Sequence, residues 1–125
     1  IVGELIVGGI VDVEKIKQVL INLIVNAIKY GNEGGEVLVR TFDMDENILV
    51  EVADNGKGIP QKHLSKIFER FYRVDKSRDR EQGGSGLGLS IVKHIIEAHN
   101  QSINVRSTLG TGTTFSFTLR KANTN

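Results

Sequence analysis

Val19-Leu20-Ile21-Asn22-Leu23-Ile24-Val25-Asn26-Ala27-Ile28 is an apolar run interrupted twice, by asparagines one helical turn apart. At about 100° per residue the two amides lie only about 40° apart around a helix, so both project from one narrow strip. Asparagine is a poor helix-interior residue and is costly to bury without partners, so something polar must face that strip. Gln18 precedes the pair and Lys29 follows it, extending the strip into a stripe that ends in a cation. A phosphate with its metal ion satisfies all of these groups.

Working outward, Asp12 suits the N-cap of this helix and Glu14 sits near the positive end of its dipole. The spacing predicts a helix from Val13 to about Tyr30, burying Ile16, Val19, Leu20, Leu23, Ala27 and Ile28, and ended by Gly31-Asn32-Glu33-Gly34-Gly35. Before it, residues 1–11 are apolar and glycine-rich and read as a strand or linker. After it come two β-type runs, Glu36 to Phe42 and Asn47 to Asp54, joined by Asp43-Met44-Asp45-Glu46. In the second run Ile48, Val50 and Val52 share a face, and the period of two places Asp54 on that same apolar side. A carboxylate aimed toward a core needs a donor.

Pro60 suits the first turn of a short helix from about Pro60 to Phe68. Residues 73–85 are strongly polar, with only Val74 as an apolar anchor, and predict a mobile loop. A helix from Gly86 or Leu87 to about His99 follows, burying Leu89, Ile91 or Val92, Ile95 and Ile96. The chain closes with a hairpin, Ser102 to Thr108 and Thr113 to Arg120, in which Phe115, Phe117 and Leu119 point inward with Thr113 on their face. Residues 121–125 read as a frayed tail.

Composition bounds the possibilities. A chain of 125 residues with 39% hydrophobic content is large enough for one compact domain with its own core. It has no cysteine, so no disulfide, thiol nucleophile or structural zinc site of that type is available. The net charge of +1 gives no argument for nucleic acid as a partner. No apolar run approaches the roughly 20 residues that cross a bilayer. The expected setting is a soluble, cytoplasmic domain, whether or not a larger protein carries it to a membrane.

The glycine clusters each admit a plain reading. Gly56 and Gly58 read as a turn after a strand or as a close backbone approach to a ligand. Gly84-Ser85-Gly86-Leu87-Gly88 reads as a flexible joint or as an anion cradle at a helix start, without the lysine-serine ending of a Walker loop. Gly110 and Gly112 suffice for a hairpin turn. Order and spacing are more specific than any one cluster. The asparagine helix is followed by Asp54-Asn55-Gly56-Lys57-Gly58-Ile59-Pro60, then Ile67-Phe68-Glu69-Arg70-Phe71-Tyr72-Arg73, then Gly84 to Val92, then Gly110-Thr111-Gly112-Thr113-Thr114-Phe115. From about Asp12 to Leu119 this order closely resembles the catalytic ATP-binding domain of sensor histidine kinases, within the wider gyrase, Hsp90, histidine kinase and MutL superfamily.

The resemblance implies an α+β fold, a two-layer sandwich in which a mixed sheet of about five strands packs on three helices, with residues 1–125 forming a single ATP-binding catalytic domain. It implies that Asp54 accepts a hydrogen bond from the adenine amine, that Gly56, Gly58 and Ile59 lie against the base, and that Thr113 adds a hydroxyl to the pocket floor. It implies Asn26 as the Mg2+ ligand, Asn22 as support for phosphates or metal waters, and Lys29 and Tyr30 as nucleotide contacts. Arg73 is the implied phosphate contact and Arg70 a second, so that Asn22, Asn26 and Arg73 form the catalytic set. Phe68 and Phe71 divide between packing and docking. Residues 73–85 are the implied ATP lid, in which Lys76, Arg78 and Arg80 read either as nucleotide contacts or as solvated charge. Gly84, Gly86, Leu87 and Gly88 would set amides against the phosphates.

The family's phosphoacceptor histidine lies on a separate dimerisation domain, and no such segment is present. His63, His94 and His99 are therefore expected at surface or half-buried positions with no acceptor role. The implied partners are that histidine-bearing domain of the same full-length protein and a response regulator, with the fragment itself monomeric. An ATP-hydrolysing clamp or an anti-sigma-factor kinase of the same superfamily would carry a glutamate where this chain has Asn22. A nucleotide-binding module that has lost transfer activity and serves only to contact a partner is the non-enzyme alternative, and intact Asn26, Asp54 and glycine loops weigh against it.

Overall fold

In the computed structural model, which describes residues 12–32, 34–72 and 88–121, helix α1 spans Val13–Lys29. The Asp12 side chain accepts from the Lys15 amide at 3.2 Å and so caps it. Tyr30 is its C-cap. Ile16, Val19, Leu23 and Ala27 are buried as the spacing requires, and Leu20 is half-buried. Ile28 departs from expectation and is 67% exposed. α1 rests mainly on the second long helix and on the second strand, and Ile28 falls on the flank shared with exposed Ile21 and Val25, away from that packed side.

Strand β1 (Val37–Met44) pairs with β2 (Asn47–Asp54) through a two-residue turn at Asp45 and Glu46. The strand runs further than the sequence suggested because Asp45 takes a φ of +63° and its amide bonds to the Asp43 carboxylate, which closes the turn within two residues. A hydrogen bond and ion pair from Lys121 hold that carboxyl below the ordinary carboxylate range.

The short helix α2 covers only Gln61–Leu64, with Pro60 at its N-cap. Beyond it the chain turns repeatedly, with amide bonds from Lys66 to His63, Glu69 to Lys66 and Tyr72 to Glu69. These three-residue steps replace the expected continuation to Phe68, and they seat Ile67 in the core.

Helix α3 (Gly88–Ala98) buries Val92, Ile95 and Ile96. It ends on Asn100 at φ +58°, where the Asn100 amide bonds to Glu97 and the Gln101 amide to Ile96. This left-handed cap favours glycine, which carries no Cβ penalty. Asn100→Gly is expected to raise stability by about 0.5–1 kcal/mol, read as a higher thermal midpoint. An unchanged or lower midpoint would mean that the cap stores no strain.

β3 (Ile103–Thr108) and β4 (Gly112–Arg120) form the second hairpin. Among the described residues the sheet has four strands in the order β1-β2-β4-β3, all antiparallel. The expectation of a mixed sheet of about five strands is corrected to this extent, and the extra strand assigned to residues 1–11 lies outside the described residues, as do the lid at 73–85 and the tail after Lys121. One sheet face carries Val50, Val52, Phe115, Phe117 and Leu119 against α1 and α3. On the other face Glu51 is only 4% exposed, held by Arg40 at 3.2 Å and by Arg106 at 3.0 Å. Arg106 reaches it from β3 across β4, so one carboxylate links β1, β2 and β3 across the whole width of the sheet.

Candidate functional site

Three adjacent strands end their apolar faces in a polar residue at the same end of the sheet. Asp54 on β2 lies directly opposite Thr113 on β4, and Thr113 directly opposite Ser107 on β3. Directly opposed residues share a face with their Cβ atoms about 5 Å apart, so the three form one polar floor beside the core. The donor that Asp54 needed is the Gly56 amide, 2.9 Å from Oδ1. The other carboxylate oxygen has no hydrogen-bond partner among the described residues.

The loop after Asp54 then packs on the end of α1. A Cβ added to Gly56 would lie 3.0 Å from Tyr30 O and 3.0 Å from Gly31 Cα. One turn back from Tyr30 is Asn26, whose carbonyl accepts the Tyr30 amide at 3.1 Å, and one turn further back is Asn22. The Asn22 side-chain amide donates to the Gly88 carbonyl at 3.4 Å, which brings the start of α3 to the stripe. Asp54, Gly56, Tyr30, Asn26, Asn22 and Gly88 thus lie in sequence along one wall. The helical part, residues 22 to 30, is about 12 Å long at 1.5 Å per residue, the length scale of a nucleoside triphosphate. The Lys29 ammonium lies 5.5 Å from the Tyr30 ring centre on the same side.

Gly58 and Gly112 also serve the fold, Gly112 beyond the hairpin turn expected of it. At φ +80° a Cβ on Gly58 would fall 2.4 Å from the Thr108 carbonyl oxygen, and at φ +141° a Cβ on Gly112 would fall 2.0 Å from that of Asp54. The Lys57 carbonyl accepts the Gly110 amide at 2.8 Å. The β2 loop and the β3–β4 turn therefore clasp each other backbone to backbone, which fixes the end of the sheet where Asp54 stands. Ile59 is half-buried against the core, its amide bonded to Ser107 Oγ at 2.7 Å.

Among the remaining expected residues, Arg70 lies with its guanidinium 5.6 Å from the Phe71 ring centre rather than on the α1 stripe. Phe68 packs edge-on against Phe115 at 6.0 Å, whereas Phe71 is 62% exposed at φ +63°. The two phenylalanines divide the roles between packing and exposed surface. Arg73, Gly84, Gly86, Leu87, Lys76, Arg78 and Arg80 lie outside the described residues.

Each histidine has a structural setting. His63 bonds to the Tyr72 hydroxyl. His99 joins the two long helices, its Nδ1 bonded to the Ile95 carbonyl at 2.7 Å and its Nε2 accepting the Asp12 amide at 3.1 Å. His94 is exposed.

Two residues escaped the sequence reading. Asn55 accepts the Glu36 amide at 2.8 Å and its carbonyl accepts the Asn32 side chain at 3.3 Å, fastening the loop after α1 to the end of β2. Ser107 is the centre of the polar floor, bonded to the Ile59 amide, the Gly112 carbonyl and the Thr113 hydroxyl. Its signal was present in the alternation Ile103, Val105, Ser107, a polar residue ending an apolar face as Asp54 does.

An oxygen-liganded cation fits the α1 stripe. The half-buried Asn26 side chain makes no hydrogen bond to described residues, and an amide oxygen suits a hard ion that draws its remaining ligands from phosphate and water. No cluster of three His, Asp or Glu side chains offers a rival metal site among the described residues. No described helix is long and apolar enough to cross a membrane.

Comparison with known proteins shows the family. Residues 11–123 match the family described as histidine kinase-, DNA gyrase B-, and HSP90-like ATPase. The chain is 50% identical over 114 residues to sensor histidine kinase WalK of Bacillus subtilis (strain 168), covering 87% of this chain and 18% of that protein. It superposes on a mycobacterial sensor histidine kinase, MprB, with a TM-score of 0.77 at 29% identity, over 88% of this chain and 74% of that one. Full-length ShkA, solved in complex with AMPPNP, gives a TM-score of 0.75 at 33% identity over 90% of this chain and 22% of that one. The chain spans less than a fifth of the length of the curated relatives it matches. By sequence and by overall structure, the chain belongs to the histidine kinase-, DNA gyrase B- and HSP90-like ATPase family, on its sensor histidine kinase branch.

Proposed function

We propose that this chain is the ATP-binding, catalytic half of a two-part protein-histidine kinase. It binds Mg-ATP and presents the γ-phosphoryl group to a histidine on a dimerisation domain elsewhere in the full-length protein, from which a response regulator receives it. The observation that carries this reading is Asp54, with one oxygen fixed by the Gly56 amide and the other open, standing at the end of the asparagine wall of α1. The AMPPNP bound by the structural neighbour ShkA supports an adenine nucleotide there.

In this mechanism the domain positions and neutralises rather than attacks. Asp54 accepts the adenine amine and sets the base, with Gly56, Gly58, Ile59 and Thr113 around it. Lys29 and Tyr30 flank the nucleotide and Asn22 holds the start of α3 beside the phosphates. Arg73 and Arg70, with Gly84, Gly86, Leu87 and Gly88, serve the phosphate end. Asn26 would hold Mg2+, which would supply charge neutralisation at the phosphates. The acceptor imidazole nitrogen attacks the γ-phosphorus, the bond to the β,γ-bridging oxygen breaks, and ADP leaves. Exposed Phe71 is the docking contact for the histidine-bearing domain.

Mixing tests this division of labour. With γ-labelled ATP the fragment alone is expected to stay unlabelled, while a supplied cognate histidine-bearing helical domain becomes labelled. Asn26→Ala, at a half-buried site without described partners, is expected to fold normally and lower the labelling rate at least about 100-fold. Fast hydrolysis of ATP without any histidine domain would replace this reading with the hydrolytic clamp.

A further inference from the structure

We infer that Ser107 is a positioning residue that sets base specificity by fixing the hydroxyl proton of Thr113. The assignment follows from counting protons. A serine hydroxyl has one proton to donate and two lone pairs to accept with. Ser107 Oγ has three neighbours: the Ile59 amide at 2.7 Å, the Gly112 carbonyl oxygen at 3.0 Å and Thr113 Oγ1 at 2.8 Å. The amide can only donate and the carbonyl can only accept. Ser107 therefore spends its proton on Gly112 and one lone pair on Ile59, and Thr113 must donate into the lone pair that remains.

Thr113 is buried and its proton is committed to Ser107, so its oxygen offers only lone pairs to a ligand. Asp54, directly opposite on β2, is likewise an acceptor when ionised. The floor is then acceptor-only across two strands. It favours a base edge that donates, the 6-amino group of adenine, and opposes one that accepts, such as the 6-carbonyl of hypoxanthine. A site built to accept a hydrogen bond from position 6 disfavours an analogue with an acceptor at that position, because its own polar groups are left unpaired there. Ser107 touches no base in this arrangement, and of its three partners Thr113 is the one whose proton it orients.

This role rests on the reading of Asp54 as the adenine acceptor, and the experiment separates the two. Affinities for ATP and for inosine triphosphate are measured by calorimetry on the whole chain, in the parent and in Ser107→Ala, Ser107→Thr, Thr113→Val and the Ser107→Ala/Thr113→Val double variant. The parent is expected to prefer ATP. Ser107→Ala frees the Thr113 proton to turn toward the ligand and is expected to lower the ATP-to-inosine preference about fivefold to tenfold, mainly by improving inosine triphosphate binding. Ser107→Thr keeps the hydroxyl and restores the preference. The double variant is expected to match Thr113→Val alone in its ATP-to-inosine preference, since the relay is already lost with the Thr113 hydroxyl. If Ser107→Ala weakens both nucleotides equally, Ser107 is only a fold residue and the inference fails. If Ser107→Ala does not fold, Ser107→Thr and Thr113→Val still decide, because a parent-like preference in Thr113→Val would refute the relay. A parent that binds both nucleotides equally would instead overturn the adenine reading itself.

Discussion

Asp54→Asn is expected to weaken ATP binding about 10- to 100-fold while moving the thermal midpoint by no more than about 2 °C. The two halves of this result come from the two carboxylate oxygens. Oδ1 accepts the Gly56 amide, and an asparagine oxygen can take over that bond, so the turn after β2 survives. The second oxygen becomes an NH2 group, which can only donate and meets another donor in the adenine amine. A hydrogen bond to a charged group contributes about 1.5–3 kcal/mol, which is the source of the expected factor. Calorimetric titration of the folded variant checks it. Parent-like affinity would remove Asp54 from the nucleotide site.

Gly112→Ala is expected to cost about 3–5 kcal/mol, a large part of the roughly 5–15 kcal/mol that holds a domain of this kind together. At φ +141° the new methyl would sit 2.0 Å from the Asp54 carbonyl oxygen, and both atoms belong to backbones that are locked in the sheet. Thermal unfolding should show a midpoint lower by on the order of 10 °C or more. Gly110→Ala is the internal control. Gly110 shares the turn and has a φ of +80°, but no atom lies within 4 Å of the added Cβ, so only conformational strain of about 1 kcal/mol is expected. Equal losses at the two glycines would show that the clasp between the β2 loop and the hairpin turn is not what glycine serves there.

Much of the site was legible because it is written in local periodicity. The Asn22 and Asn26 strip follows from 100° per residue, and Asp54 and Thr113 fall on inward faces by the alternation of strands. Asp12 announced the start of α1 and indeed caps it. The less legible parts depend on non-local choices. Ile28 is apolar, yet it is exposed because it shares the flank of Ile21 and Val25 rather than the side that α1 packs on α3 and β2. Gly56 and Gly58 signalled a tight turn, but no local rule says that the Thr108 carbonyl fills the space beside Gly58. Glu51 reads as an ordinary surface charge until Arg40 and Arg106 reach it from other strands.

By itself the sequence determined the elements, their inward faces and the set of motifs that mark the family, since each is fixed by residues within a few positions of one another. Tertiary structure alone decided how those motifs meet. Strand order set β2 beside β4 and β4 beside β3, which turned three separate polar residues, Asp54, Thr113 and Ser107, into one floor. Contacts distant in sequence did the joining: Gly112 against Asp54 fixed that floor, Gly56 against Tyr30 set it on the asparagine wall, and Asn22 with Gly88 brought α3 to the wall. Such contacts follow from the packing of whole elements, and sequence spacing carries no record of them.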